Sequence, residues 1–575
     1  MINRRNFEQL EIPGLERWRI VYSPQKLKVL QKSWANIFRQ LILPNLPIEP
    51  LVKQYSKKMG RKTKEIYTVF GASMLQQFFN LTDEETCNEL AFNQLWHFAL
   101  ESFAEADQVI SLKTLWSVRN NIVNLNLAAE IFPKITDAMI KYFDIDLTQQ
   151  RLDSVHVHSN MAKLGRIRIL STCMYNFLKN IKRKFSKYYE DRVSSEIKER
   201  YTPNKKSYFS EQTKPSESSK TLQQLGEDLH CLITEFGAEA ELVRMNTYKM
   251  MKQVFSEHCI IEENEVKVKS AKEVSSSSLQ NPSDPDASYD GHKGQGYQSQ
   301  IMETYSKAGS SEDEKNKATE ENEDKEKNEL NLITYINTEP AHKHDSQALE
   351  PAIKNIQDRG IEAKQVLADT LYGSNDNKDK MKEIYGVDLI SPIPGKPSKN
   401  ELNDFDINPE TLNIKTCPGN KCPDEISDNP KSSKTAIWYN NTCINCKLTK
   451  SCKLNKGKKG RRKHYSLKSA KSIIRRRYED SYEFKDEYRY RSGIEASISR
   501  FILMTSGRRM RYRGLKKMNF AQQMRALAIN MFRVRKYLKK LCKNNNISLM
   551  IPFLMILFSI FSPQINSDGK IHVVG

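Results

Sequence analysis

Tyr488-Arg489-Tyr490-Arg491-Ser492-Gly493-Ile494-Glu495 places one carboxylate in a strongly basic stretch. In a helix, Tyr488, Arg491 and Glu495 stand at i, i+3 and i+7 and share one face. A carboxylate among arginines suits a metal ligand beside a phosphodiester: the acid holds the cation while guanidinium groups grip phosphate oxygens. The plainer reading is a helix ion pair between Arg491 and Glu495. One acid cannot run phosphodiester chemistry alone. Two upstream aspartates lie in strand-like settings, Asp153 in Arg151-Leu152-Asp153-Ser154-Val155-His156-Val157 and Asp369 in Gln365-Val366-Leu367-Ala368-Asp369-Thr370.

Around the segment the charge is lopsided. From Lys453 to Lys540 there are 28 Lys and Arg against 6 acids, a field fit to follow a phosphate backbone. The whole chain of 575 residues carries a net charge of +21. Such an excess favours a polyanionic partner, nucleic acid or an anionic membrane surface. The ten cysteines do not read as a disulfide framework, half of them being scattered singly, and Met1 to Glu8 lacks the apolar core of a signal peptide. The expected setting is a reducing cytoplasm. Ile547 to Ser562 is uncharged and apolar, but it falls short of the roughly 20 residues that span a bilayer and contains Pro552. It reads as a buried or docking tail, with a C-terminal membrane anchor as the alternative.

The three acidic segments together resemble the DDE transposases of bacterial insertion sequences. The Tyr-x2-Arg-x3-Glu spacing, Leu152-Asp153-Ser154 and Ala368-Asp369-Thr370-Leu371-Tyr372-Gly373-Ser374 carry the resemblance. It implies an α/β fold, an RNase H-like catalytic domain with insertions, preceded by an all-helical N-terminal domain. It also implies metal-dependent DNA cleavage and strand transfer. Asp153, Asp369 and Glu495 would be the catalytic residues and ligands of Mg²⁺ or Mn²⁺, with Asp153 bridging two ions about 4 Å apart. Tyr488, Arg491 and the following arginines Arg508, Arg509, Arg511 and Arg513 would contact DNA. The implied partners are double-stranded DNA, as terminal inverted repeats and target, and a second copy of the chain in a homodimer. No small-molecule substrate is implied, and the location is cytoplasmic, on the nucleoid. Seven residues after the Glu the family usually carries a Lys that contacts DNA; this chain has Ile502. A decayed or repurposed DNA-binding protein is therefore the alternative.

Seven regions are expected. Residues 1–143 read as a helical, end-binding domain, with Thr82-Asp83-Glu84-Glu85 as a capping box. Residues 144–262 and 331–400 read as two parts of the RNase H-like domain, divided by a polar, partly disordered insertion at 263–330, within which Asp284 to Ala287 looks like a turn and Gly291 to Tyr297 like the start of a strand. A cysteine-containing insertion follows at 401–465, then the Glu495 helix and basic helices at 466–540, and the apolar tail at 541–575. The Glu495 helix is predicted from about Ser466 to Arg500, with a break near Ser492-Gly493. In the cysteine insertion, Cys417, Cys443, Cys446 and Cys452 have separations that can enclose a tetrahedral, structural Zn²⁺, with Cys422 left over. The alternative is reduced cysteines packing a small β unit.

Overall fold

The computed structural model describes residues 2–7, 17–56, 59–201, 214–307, 330–395, 402–429, 432–448, 452, 454–508 and 510–544. The charged run at 308–329, Arg509 and the apolar tail beyond 544 lie outside them. The architecture is mixed α/β.

The N-terminal region is helical. Its helices include α1 (Ile66–Phe78), α2 (Asp83–Phe92), α3 (Leu112–Asn124) and α4 (Ala128–Phe143). Thr82 and Glu85 form the expected reciprocal cap on α2. Asp83 and Gln76 both accept from Arg119, which ties α1, α2 and α3 together. Residue 143 is not a packing boundary. A single hydrophobic core runs from Trp18 through these helices to the central sheet and on to Leu538.

The sheet is built from β1 (Gln149–His158), β2 (Gly294–Thr304), β3 (Ile333–Pro340), β4 (Gln365–Ala368) and β5 (Asp388–Ile390), plus a short strand Ser288–Asp290 on β2. Its order is β3-β2-β1-β4-β5. The β3–β2 and β2–β1 pairs are antiparallel; β1–β4 and β4–β5 are parallel. Helix α8 (Leu349–Asp358) connects β3 to β4, which run parallel with β2 and β1 between them, and α9 (Asn375–Tyr385) connects β4 to β5.

Two expected boundaries are corrected here. Of residues 144–262, only β1 belongs to the sheet. The helices α5 (Arg166–Lys184), α6 (Ser218–Phe236) and α7 (Asn246–His258) pack around their own core of Phe177, Phe236, Tyr248 and neighbours. They form an insertion between β1 and β2. Conversely, residues 263–330 contain β2, a central strand buried along almost its whole length. Its polarity suggested exposure, but most of its buried polar side chains are paired, Gln295 Nε2 being an exception. Gln298 donates to the Lys343 carbonyl, Gln300 to Asp345, Ser299 bonds Thr338, and Glu303 accepts from Arg151 and Arg533.

The cysteine region forms a small sheet, β6 (Glu425–Asn429), β7 (Ser433–Tyr439) and β8 (Gly460–Ser466), around Trp438, Phe405 and Tyr465. The helical segment after it is broken earlier than expected. Helix α10 (Leu467–Glu479) stops at Asp480 because the Ser481 hydroxyl caps a new helix, α11 (Tyr482–Tyr488), at Phe484. A 3₁₀ turn at Arg489–Arg491 leads into α12 (Ser492–Thr505). The long α13 (Leu515–Asn544) packs along β3, α4 and α1. Among the described residues, no helix is long and apolar enough to cross a membrane.

Candidate functional site

The register of β1 and β4 positions the two aspartates. Leu152 pairs with Ala368 across the parallel ladder, and the next residue on each strand is Asp153 or Asp369. Neighbouring strands lie about 4.8 Å apart, so the carboxylates emerge side by side where β4 ends against the middle of β1. Beyond Asp369 the chain turns at once. Its carbonyl accepts from Ser391 Oγ at 2.7 Å. Gly373 completes the turn against Pro392, whose carbonyl oxygen would lie 2.0 Å from any added Cβ.

Glu495 reaches the same place from α12. The helix seats through Ile494, Ile498 and Phe501, all buried. It also crosses over Arg151 of β1, which donates to the Tyr490 carbonyl at 2.9 Å. A Cβ on Gly493 would meet Arg151 Nη1 at 2.0 Å, so a larger residue would have to displace the Arg151 guanidinium from this approach. Arg151 is held from behind by Glu303, a fully buried carboxylate that Arg533 of α13 also grips.

Arg491 joins the three acids. Its Nη2 donates to Asp153 Oδ2 at 2.9 Å and lies 3.8 Å from Asp369 Oδ1. Its Nη1 donates to Glu495 Oε1 at 2.6 Å. Two oxygens that approach one nitrogen this closely are within about 7 Å of each other, compatible with ligands shared around a metal pair. Exposure is graded: the side chain of Asp153 is 15% exposed, Asp369 39% and Glu495 62%. The site thus opens toward solvent from a buried aspartate. Beside it is a cavity of about 380 Å³ lined by Asp153, Ser154, Glu495, Ser499, Ile502 and Arg508 among others. Both readings of Glu495 therefore coexist: it pairs with Arg491 and it joins the acid cluster.

The remaining predicted contacts are distributed. Tyr488 is packed rather than free: its ring stacks on Phe484 at 5.3 Å, and burial pushes its hydroxyl up to about 12. Arg508, Arg511 and Arg513 are exposed, and Arg511 lies 3.7 Å from Glu85 of the α2 cap. Tyr512 anchors this loop to the N-terminal helices through Gln77 and under Arg119. The loop's other end is bracketed by Asp284 and Asp286, which accept from the Gly514 and Leu515 backbone. Asp284 also accepts from Tyr297. A further acid, Asp345, is buried behind the site and bound by Gln300, whose carbonyl accepts from Tyr372. Arg151, Gln300 and Glu303 had no motif to mark them; only their pairing across the sheet reveals them.

The four cysteines expected to act together do gather. Cys417 and Cys446 thiols flank Gly419. Burial raises the Cys443 thiol, and the neighbouring thiols of Cys417, Cys446 and Cys452 add to the rise. Cys422 is exposed. Among the described residues, no three His, Cys, Asp or Glu side chains stand in ready metal-ligand geometry, here or at the acid site.

Burial pushes the Asp153 carboxyl up to about 6, against the pull of Arg491 and the Ser154 N–H. A folded-state value above the ordinary one favours the protonated form. The stability it contributes is complete below about pH 4 and is lost as pH rises through about 6. Asp153→Asn removes the buried charge. In chelator, its melting temperature should exceed that of the unsubstituted protein at pH 8, with the gain vanishing at pH 4. A gain independent of pH, or a loss at pH 8, would show that burial of the charge is not the dominant cost.

Comparison with known families bears on both ends of the chain. Residues 26–121 match the family model described as transposase domain (DUF772). Residues 416–535 match the one described as transposase DDE domain, a span that includes the four cysteines, Glu495 and the basic helices but neither Asp153 nor Asp369. No curated protein and no solved structure matches the chain. With a transposase family matched at each end, the comparisons support a DDE transposase of insertion-sequence type.

Proposed function

We propose that the chain cuts and joins the ends of its own mobile element, with Asp153, Asp369 and Glu495 as a divalent-metal site on an RNase H-like sheet. The observation that carries this reading is the convergence of three carboxylates, from the middle of β1, the end of β4 and α12, on a single guanidinium. The strand order, three antiparallel strands followed by two parallel ones, supports the fold assignment.

The donor set fits hard cations. All three side chains are oxygen donors, and a buried Asp153 whose ionisation is opposed by burial would gain from a cation. Asp153, Asp369 and Glu495 would together hold the cations. Bound there, Mg²⁺ or Mn²⁺ would activate the attacking water or 3′-hydroxyl and stabilise charge on phosphorus. The chain's own contribution is positioning. The β1–β4 register fixes the aspartates, and Arg151 and Gly493 fix the height of α12. The exposed Arg508, Arg511 and Arg513 offer positive charge beside the site for a phosphate backbone, consistent with a DNA partner.

Asp153→Ala, Asp369→Ala and Glu495→Ala should each abolish cleavage of the element's terminal repeats in Mg²⁺ or Mn²⁺. DNA binding should remain nearly intact, because the basic surface is unaltered. A variant keeping more than about a tenth of the original cleavage rate would remove that residue from the ligand set.

A second reading, a DNA-binding protein without catalysis, is favoured by Ile502. It lines the cavity mouth and packs partly on the main core. Ile502→Lys should raise cleavage without lowering the melting temperature, by adding a charge-assisted phosphate contact of roughly 1.5–3 kcal/mol. A stable variant with no gain would mean that position 502 makes no useful DNA contact.

The gathering of Cys417, Cys443, Cys446 and Cys452 supports one structural Zn²⁺ that would clamp the small sheet to its loops. Metal analysis of protein purified without chelator should give about one zinc per chain. Metal-free protein with the insertion folded would leave simple packing of reduced thiols.

A further inference from the structure

We propose that Arg491 is the internal counter-ion of the three acids, and that divalent metal binds only as this guanidinium moves from them to a DNA phosphate. The inference rests on the metal-site reading above. It differs from a simple DNA-contact role, because it gives Arg491 a function in the absence of DNA.

The geometry supplies the competition. Asp153 Oδ1 accepts from its neighbour's Ser154 N–H at 2.8 Å, and Oδ2 accepts from Arg491 Nη2. Glu495 Oε1 is engaged by Nη1 of the same group. A hard cation needs these oxygens and would meet a like charge beside them. Arg491 and metal therefore exclude one another. Charge points the same way. Three carboxylates outnumber one guanidinium by two charges, so the cluster is only partly neutralised and retains an appetite for a divalent ion.

Arg491 is also incompletely satisfied where it is. Its side chain is 16% exposed, and Nε is buried without a hydrogen-bond partner. A phosphate can accept from Nε and one Nη together, in the bidentate geometry that guanidinium favours. An incoming phosphate would offer that acceptor while repelling the carboxylates. Its arrival would free the acids for metal at the moment that substrate is present; without substrate, Arg491 would stay on the acids and keep metal out.

The test is a Mn²⁺ titration of the full chain at pH 8, read by the electron paramagnetic resonance of free Mn²⁺, with and without a short DNA duplex. Arg491→Gln should bind Mn²⁺ about tenfold more tightly than the unsubstituted protein without DNA. The duplex should tighten Mn²⁺ binding by the unsubstituted protein but not by Arg491→Gln. In chelator the variant should melt at a lower temperature, and Mn²⁺ should raise its melting temperature more than that of the unsubstituted protein. Equal or weaker Mn²⁺ binding by Arg491→Gln, with binding lost in Asp153→Asn, would overturn the counter-ion role and leave the metal site standing. Mn²⁺ binding that Asp153→Asn does not alter would overturn both.

Discussion

The parallel pairing of Leu152 with Ala368 is the constraint on which the acid site depends. It sets Asp153 in the middle of β1 beside Asp369 at the end of β4, and a slip of one residue would turn a side chain to the other face. The register is protected by burial. Leu152, Val366, Leu367 and Ala368 are all fully buried, so a slip would also expose core residues. Once the pair is set, repulsion between the two acids must be met locally. Arg491 meets it, and by reaching Glu495 as well it links the helix to both strands.

The height of that helix is controlled from inside the sheet. Glu303 on β2 holds Arg151 on β1, and Arg151 supports the Tyr490 carbonyl under the bare backbone of Gly493. Arg533 closes the unit from α13. Buried ion pairs of this kind contribute little net stability relative to apolar packing, but removing one partner leaves an uncompensated charge and typically costs about 3–5 kcal/mol. The arrangement is therefore best understood as one that fixes geometry. It couples β1, β2, α12 and α13, so the distance from Asp153 to Glu495 follows from the core and is independent of the loops.

Much of the site was readable from sequence because its chemistry is local. Asp153, Asp369 and Glu495 each carry a short motif, and the strands and helix that bear them follow from periodicity. The Thr82–Glu85 cap was equally explicit. What could not be read was non-local. Of Gly294 to Thr304 only the start, up to Tyr297, reads as strand, and the rest looks like polar linker, since its glutamines, serine and glutamate find their partners on β1, β3, α13 and a distant turn. The helical run 166–258 looked like part of the sheet domain, because amphipathic periodicity shows that a face is buried but not against what. Its separate core emerges only in three dimensions. The break at Ser481 was hidden by strong helix formers on both sides, and only the cap reveals it.

The central claim is that the three carboxylates form one metal centre. It is tested most directly by crystals of the protein grown with its element-end DNA and Mn²⁺, using anomalous scattering to locate the ions. The account predicts two peaks about 4 Å apart, one shared through Asp153 and each completed by Asp369 or Glu495. Ordered carboxylates with no anomalous peak among them, or with Mn²⁺ bound elsewhere beside the scissile phosphate, would contradict it.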